Sequence, residues 1–172
     1  MGIDSSSQSN EVIREYFLNS LNIIDSPIEG CFERITRLMH RIFDVDGCGL
    51  SFIDKDRIWF KSIKGFMFSE MLRLDSFCHH VIESNGLMII PDATVDPRFN
   101  QIPIVISEPH IRFYAGVPVA VGEGVHIGVL CLFNKKTKIL SEEDIEVLKD
   151  FSTSISLELN KRIQKKFGQE VI

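Results

Sequence analysis

The sequence predicts an α+β domain in which an antiparallel sheet carries helices packed on one face. Three observations point there: two apolar hairpins closed by short polar turns, amphipathic segments of helical period at both ends, and a Pro-rich stretch between them. At 172 residues the chain is long enough for one well-buried domain and short for two. Hydrophobic residues make up 44% and charged residues 25%, an ordinary globular composition.

Residues 1–9 are polar and Ser-rich and are expected to be flexible. Val12, Ile13, Tyr16, Phe17 and Leu21 then recur at helical spacing, which predicts a helix from about Asn10 to Leu21. Ser26-Pro27-Ile28-Glu29 has the form of a capping box with proline at the first helical position. Ile28, Phe32, Ile35, Leu38, Met39 and Ile42 follow at steps of three and four and predict one buried face.

Cys48 to Ile53 and Arg57 to Ile63 flank the polar turn Asp54-Lys-Asp56 and should pair as a hairpin, with Trp59 as a core anchor. Gly65 to Leu74 is apolar yet aperiodic, so it should cover either the core or a bound molecule. A short helix is expected from about Ser76 to Ser84, stopped by Asn85-Gly86, and Leu87 to Ile90 reads as a buried strand. Pro91, Pro97, Pro103 and Pro109 make the stretch to His110 a long loop, a kind of segment that often carries function.

Phe113 to Ala120 and His126 to Phe133 form the second hairpin around Val121-Gly-Glu-Gly124, and their almost continuous apolarity suits central strands covered by helices. Ser141 caps the last helix, whose first turn holds Glu142, Glu143 and Asp144. Ile145, Leu148, Ile155, Leu159 and Ile163 line one side of it, and the tail at 161–172 reads as a dimer contact or connector.

The net charge of −5 offers no basic footprint for nucleic acid or an anionic membrane. No apolar run reaches the roughly 18 to 20 residues of a membrane span, and the N-terminus is unlike a signal peptide, so a cytoplasmic protein is expected. Cys31, Cys48, Cys78 and Cys131 form no C-x-x-C pair and read as reduced thiols, three of them in the core.

Several stretches together resemble a family. Asp56-Arg-Ile-Trp-Phe-Lys-Ser62, Ser76-Phe-Cys78, Asp92 with Asp96-Pro-Arg-Phe99, Ile111-Arg-Phe-Tyr-Ala-Gly116, Ile127 to Asn134 and Leu140 to Asp144 occur in the order found in bacterial GAF domains. These sensors sit ahead of diguanylate cyclases, phosphodiesterases and histidine kinases. The resemblance runs from about Leu21 to Leu159 and implies a GAF-like, PAS-related fold. Such a fold has a central antiparallel sheet of five or six strands, helices on one face and a lid of loop and short helix on the other.

The implied organisation is a GAF domain at 10–160 including both terminal helices. The implied function is a non-catalytic sensory module of signal transduction, binding a small molecule or relaying a signal as a homodimer through its terminal helices. A signalling effector domain or protein would be its partner; no particular cofactor is implied. In the family the ligand pocket lies between sheet and lid, which here corresponds to Phe66, Phe77, Cys78, Asp92, Phe99, Arg112 and Tyr114. Alternatively the same side chains fill the cavity, leaving a structural dimerisation or partner-docking domain.

Other chemistries fit less well. The cyclic-nucleotide frame would be occupied by Asn134-Lys135, Leu140 and Asp144-Ile145, so its Phe and Glu are missing, and a Lys135 to Asp144 ion pair would be a structural latch. Cys78-His79 lies too far upstream for a bilin linkage. Asp75 and His79 could share a helix face but are only two ligands for a metal. A thiol enzyme of the free methionine sulfoxide reductase kind would need Cys78 beside a resolving cysteine. Gly122-Glu-Gly124 lies in a hairpin and opens no helix, so it is no dinucleotide fingerprint.

Overall fold

The computed structural model describes residues 5–84 and 86–169. In chain order the elements are α1 (Ser5–Leu21), α2 (Gly30–Phe43), β1 (Gly47–Ile53), β2 (Arg57–Lys64), β3 (Glu70–Leu72), a single 3₁₀ turn (Arg73–Asp75), α3 (Phe77–Glu83), β4 (Met88–Ile90), α4 (Pro103–Ile106), β5 (Phe113–Val121), β6 (Val125–Asn134) and α5 (Glu142–Gln169). The strands form one six-stranded sheet in the order β3-β2-β1-β6-β5-β4, with every neighbouring pair antiparallel.

Alternation along the central strands divides the interior in two. Cys48, Leu50 and Phe52 of β1, Leu130 and Leu132 of β6, and Phe113, Ala115, Val117 and Val119 of β5 face α1, α2 and α5. Their alternates Ile53, Val129, Cys131, Phe133 and Tyr114 face α3 and the long loop that carries α4. The sheet is thus covered by helices on one face and by a lid on the other.

Both hairpins form as expected. The capping box at the last helix is also present: the Asp144 N–H donates to Ser141 Oγ at 3.0 Å and the Ser141 N–H to the Asp144 carboxylate at 2.9 Å. Leu148, Ile155, Leu159 and Ile163 are buried beneath α5. Its helix is continuous to Gln169, and the remainder of the expected tail lies outside the described residues.

Several local expectations are corrected. Helix α1 begins at Ser5, ahead of Asn10, and its buried residues are Arg14 and Leu18; Val12, Ile13 and Tyr16 are exposed. Helix α2 starts at Gly30 rather than within Ser26–Glu29. Ser26 Oγ donates to the Ile23 carbonyl instead, and the Glu29 carboxylate pairs with Lys61 and Arg162, each at 2.8 Å. Phe32, Thr36, Met39 and Phe43 form its buried stripe, while Ile28, Leu38 and Ile42 face outward. Trp59 is half-buried, packed against the margin of the helix-side core and near the Lys61 ammonium. The Asn85 part of the helix stop lies outside the described residues; α3 ends at Glu83.

Lys135 makes no ion pair with Asp144. Its backbone N–H donates to Asp46 Oδ2 at 2.7 Å, while the Asp46 N–H donates to Asn134 Oδ1 at 2.9 Å, so the latch joins the end of β6 to the start of β1. Gly65 allows β2 to turn into the lid: its φ is +85° and any Cβ would collide with the Asp46 carbonyl.

Candidate functional site

The lid face begins with α3. Ser76 caps it, accepting from the His79 N–H at 3.2 Å, and the short helix lays Phe77, Cys78 and Val81 against the sheet. The Phe77 ring stacks on Tyr114 with centroids 4.5 Å apart and tilts against Phe99 at 4.7 Å. Tyr114 can sit there because Gly116, two residues along β5, has no Cβ to meet its ring. Cys78 Sγ is 3.4 Å from the Tyr114 hydroxyl, and the Ser51 hydroxyl donates to that sulfur at 3.5 Å.

Four of the expected pocket residues, Phe77, Cys78, Phe99 and Tyr114, therefore come together as a filled cluster, each at most 1% exposed. Phe66 lies in an adjoining group, stacked on Phe68 at 5.6 Å and edge-on to Phe133, which in turn meets Tyr114 at 5.4 Å. The two charged members are engaged elsewhere. Asp92 accepts from the Thr94 N–H and hydroxyl, at 3.0 and 2.6 Å. Arg112 donates to the carbonyls of Val105 and Ile111. These four bonds brace the long loop, an arrangement that keeps unpaired charge out of an apolar interior.

The cluster also has a feature that spacing along the chain did not reveal, because Cys131 of β6 and Cys78 of α3 are brought side by side only by the fold. The Cys131 thiol, followed by the Tyr114 and Ser51 hydroxyls, holds Cys78 below the ordinary thiol range despite the opposing effect of burial. Burial, with Cys78 nearby, pushes Cys131 and Tyr114 up. All four cysteines are free thiols, and only Cys31 is exposed.

Open space lies next to this cluster. A groove of about 400 Å³ runs between the β3 segment and the end of the long loop, lined by Phe68, Glu70, Met71, Leu72, Asp75, Pro103, Ile104, Ser107, Glu108 and Pro109. None of these is among the seven residues expected to line the pocket, although Phe68, Glu70, Met71 and Leu72 fall in the aperiodic Gly65 to Leu74 segment, Pro103 to Pro109 in the Pro-rich loop, and Asp75 in the two-ligand pair set aside for a metal. The available signal was coarse: Gly65 to Leu74 was apolar but aperiodic and had to cover something, and Pro91 to His110 was a long loop of the kind that often carries function.

Arg73, between β3 and α3, ties the lid to the other face of the molecule. Its guanidinium donates to both Glu11 oxygens of α1, at 2.6 and 3.2 Å, to the carbonyls of Asp54 and Lys55 in the β1–β2 turn, and through Nε to His79 Nδ1 at 3.2 Å. Arg14, with its side chain only 4% exposed, pairs with the same carboxylate. Burial alone would raise the Glu11 pKa, but the hydrogen bonds from Arg14 and Arg73 outweigh it and hold the value at about 2. Burial, first, holds His79 below its ordinary value, so Nδ1 is free to accept from Arg73. No group of His, Cys, Asp and Glu suited to a metal ion occurs among the described residues. Among them, too, no helix is long and apolar enough to cross a membrane.

The GAF domain family model matches residues 27–159. Over 144 residues, 83% of its length, the chain is 34% identical to a cyclic di-GMP phosphodiesterase of Pseudomonas aeruginosa, of which it spans 24%. The GAF domain of an Acinetobacter phosphoenolpyruvate-protein phosphotransferase superposes with a TM-score of 0.60 at 17% identity, covering 95% of this chain and 98% of that one. The free methionine-R-sulfoxide reductase of Neisseria meningitidis, solved with its substrate, gives 0.65 at 15% identity, covering 91% and 93%. At such identities the two structures speak for the fold alone. With a six-stranded antiparallel sheet, helices on one face, a lid on the other and a family match across most of the sequence, the chain belongs to the GAF domain family.

Proposed function

We propose that this chain is a non-catalytic sensory GAF module of a cytoplasmic signal-transduction pathway, in which a small molecule at the lid face changes how the terminal helices are held. The observation that carries this reading is the Arg73 fork. One side chain of the lid grips Glu11 of α1, the β1–β2 turn and His79 of α3, so the lid's position and α1's position share a set of bonds. Coupling follows if the ligand binds two arrangements of that fork with different affinity.

The groove beside β3 is the mouth in this reading. Phe66, Phe77, Cys78, Phe99 and Tyr114 form the wall behind it, with Asp92 and Arg112 holding the loop that closes over it. The terminal helices carry the output: Val12 and Tyr16 on α1 and Leu157 on α5 are exposed, and Tyr16 stacks on Phe167 of α5, an apolar surface suited to a second copy of the chain. Identity with a segment of a cyclic di-GMP phosphodiesterase supports an effector that acts on a cyclic dinucleotide.

Native mass spectrometry of the gently purified protein tests both halves of the proposal. A small molecule at one per protomer on a dimer is the expected result. A ligand-free dimer would favour the second reading, a partner-docking or dimerisation domain, for which the complete burial of Phe77, Phe99 and Tyr114 speaks.

A further inference from the structure

Resting on the sensory reading, we infer that the groove beside β3 takes a small organic cation: an ammonium group on a short apolar body. The walls supply the apolar half of this recognition. Phe68, Met71, Pro103, Ile104 and Pro109 present hydrocarbon around a space of about 400 Å³, within the range of roughly 300–1,000 Å³ usual for small-molecule sites. The polar lining supplies the charge. It consists of one hydroxyl, Ser107, and three carboxylates, Glu70, Asp75 and Glu108, with no Lys or Arg among the lining residues.

The three carboxylates are not equivalent. Glu70 is already matched, since Arg57 donates to it at 2.7 Å from outside the groove. Asp75, half-buried, makes no ion pair among the described residues, and Glu108, largely open to water, has only the imidazole of His110 at 3.6 Å. An apolar guest without charge would strip water from half-buried Asp75 and return nothing for it, and would leave the Glu108 charge on the rim unused. An anion would meet like charge on the rim. An ammonium donates to the Asp75 carboxylate in a charge-assisted bond and is drawn by the Glu108 charge, while its tail displaces water from the walls. The same electrostatics weigh against a cyclic dinucleotide, with its two phosphates, as this groove's occupant.

The test compares 2-phenylethylamine, 2-phenylethanol and 3-phenylpropanoate, which share an aromatic body and differ in charge, by amide chemical-shift titration of the full chain. The amine should shift resonances of Met71, Leu72 and Ile104 and bind about tenfold more tightly than the alcohol, with the carboxylate weakest. An Asp75→Asn, Glu108→Gln double variant, folded by circular dichroism, should lose that preference and leave the alcohol's binding unchanged. Equal binding of amine and alcohol, or preference for the carboxylate, would overturn the assignment of charge while leaving a small-molecule sensor standing. So would a neutral or anionic molecule released from the natively purified protein. If none of the three probes moves the groove, the assignment falls, and a ligand-free native mass would take the sensory reading with it.

Discussion

The two faces of the sheet are both buried, yet they are built from different chemistry. On the helix side the contacts are predominantly aliphatic: Met39, Leu50, Leu130, Leu132, Leu148, Ile155 and Leu159 are fully shielded, and long helices α1, α2 and α5 supply the partners. On the lid side aliphatics such as Ile53, Ile58, Val81, Ile90 and Val129 share the space with a larger proportion of rings, Phe60, Phe77, Phe99, Tyr114 and Phe133, and with the thiols and hydroxyl of Cys78, Cys131 and Ser51. The cover there is a seven-residue helix, a four-residue helix and loop. A face closed by short elements can open locally without unfolding the whole, because few buried contacts have to break at once. If so, the helix side sets the global stability and the lid side opens first, a division that substitutions on the two faces test.

The sharpest way to break that division is Leu148→Ala on α5. The residue is fully buried against the sheet, and its loss should cost about 2–5 kcal/mol in urea unfolding. Hydrogen exchange should accelerate across the central strands as a unit. Exchange that accelerates only in α3 and the long loop would mean that the lid, rather than the helix side, sets global stability.

Next in size is Arg73→Ala, which cuts the link between the two faces. Removing a partly buried guanidinium with bonds to Glu11, His79 and two carbonyls should cost about 1–3 kcal/mol. Its signature is in acid. The Glu11 carboxyl is held at about 2, below its ordinary 4.5, so it contributes stability that is complete above about pH 4.5 and is lost as the pH falls toward 2. Without Arg73 the folded value should rise toward the ordinary one, and the acid limb of the stability profile should become shallower. An unchanged limb would place the whole effect on Arg14, and the lid would then be uncoupled from α1.

The same division shows what could be read along the chain. The strands and the final helix were legible because their information is local: alternating or continuous apolar runs, a polar turn, and a capping serine followed by a carboxylate. The start of α2 was not, since Ser26 and Glu29 have the local form of a capping box but are claimed by Ile23, Lys61 and Arg162, residues distant in sequence. Strand β3 exists only as an edge paired to β2, and three residues carry no period. The outward turn of Ile28, Leu38 and Ile42, the approach of Cys131 to Cys78 and the groove between two loops are all products of tertiary placement. Residues that define the lid could be named from the family resemblance; whether their rings leave space or fill it depends on packing.

The smallest and most discriminating change is Tyr114→Phe, which leaves the ring stacked on Phe77 and removes only a buried hydroxyl. That hydroxyl stands 3.4 Å from Cys78 Sγ, a long contact to a weak partner, so its loss should cost no more than about 0.5–1.5 kcal/mol. Because the hydroxyl is one of the groups that favour the Cys78 thiolate, its removal should also move that thiol's ionisation upward, followed by thiolate absorbance at 240 nm against a Cys78→Ala control. A stability loss as large as that of Leu148→Ala would show the lid-side polar groups to be as tightly coupled as the helix-side aliphatics. The contrast between a rigid face and a responsive one would then collapse. A small loss with a clear change in thiol ionisation would locate the lid side's specificity in its polar groups and its bulk in its rings, the combination a face needs if it is to yield to a guest without unfolding.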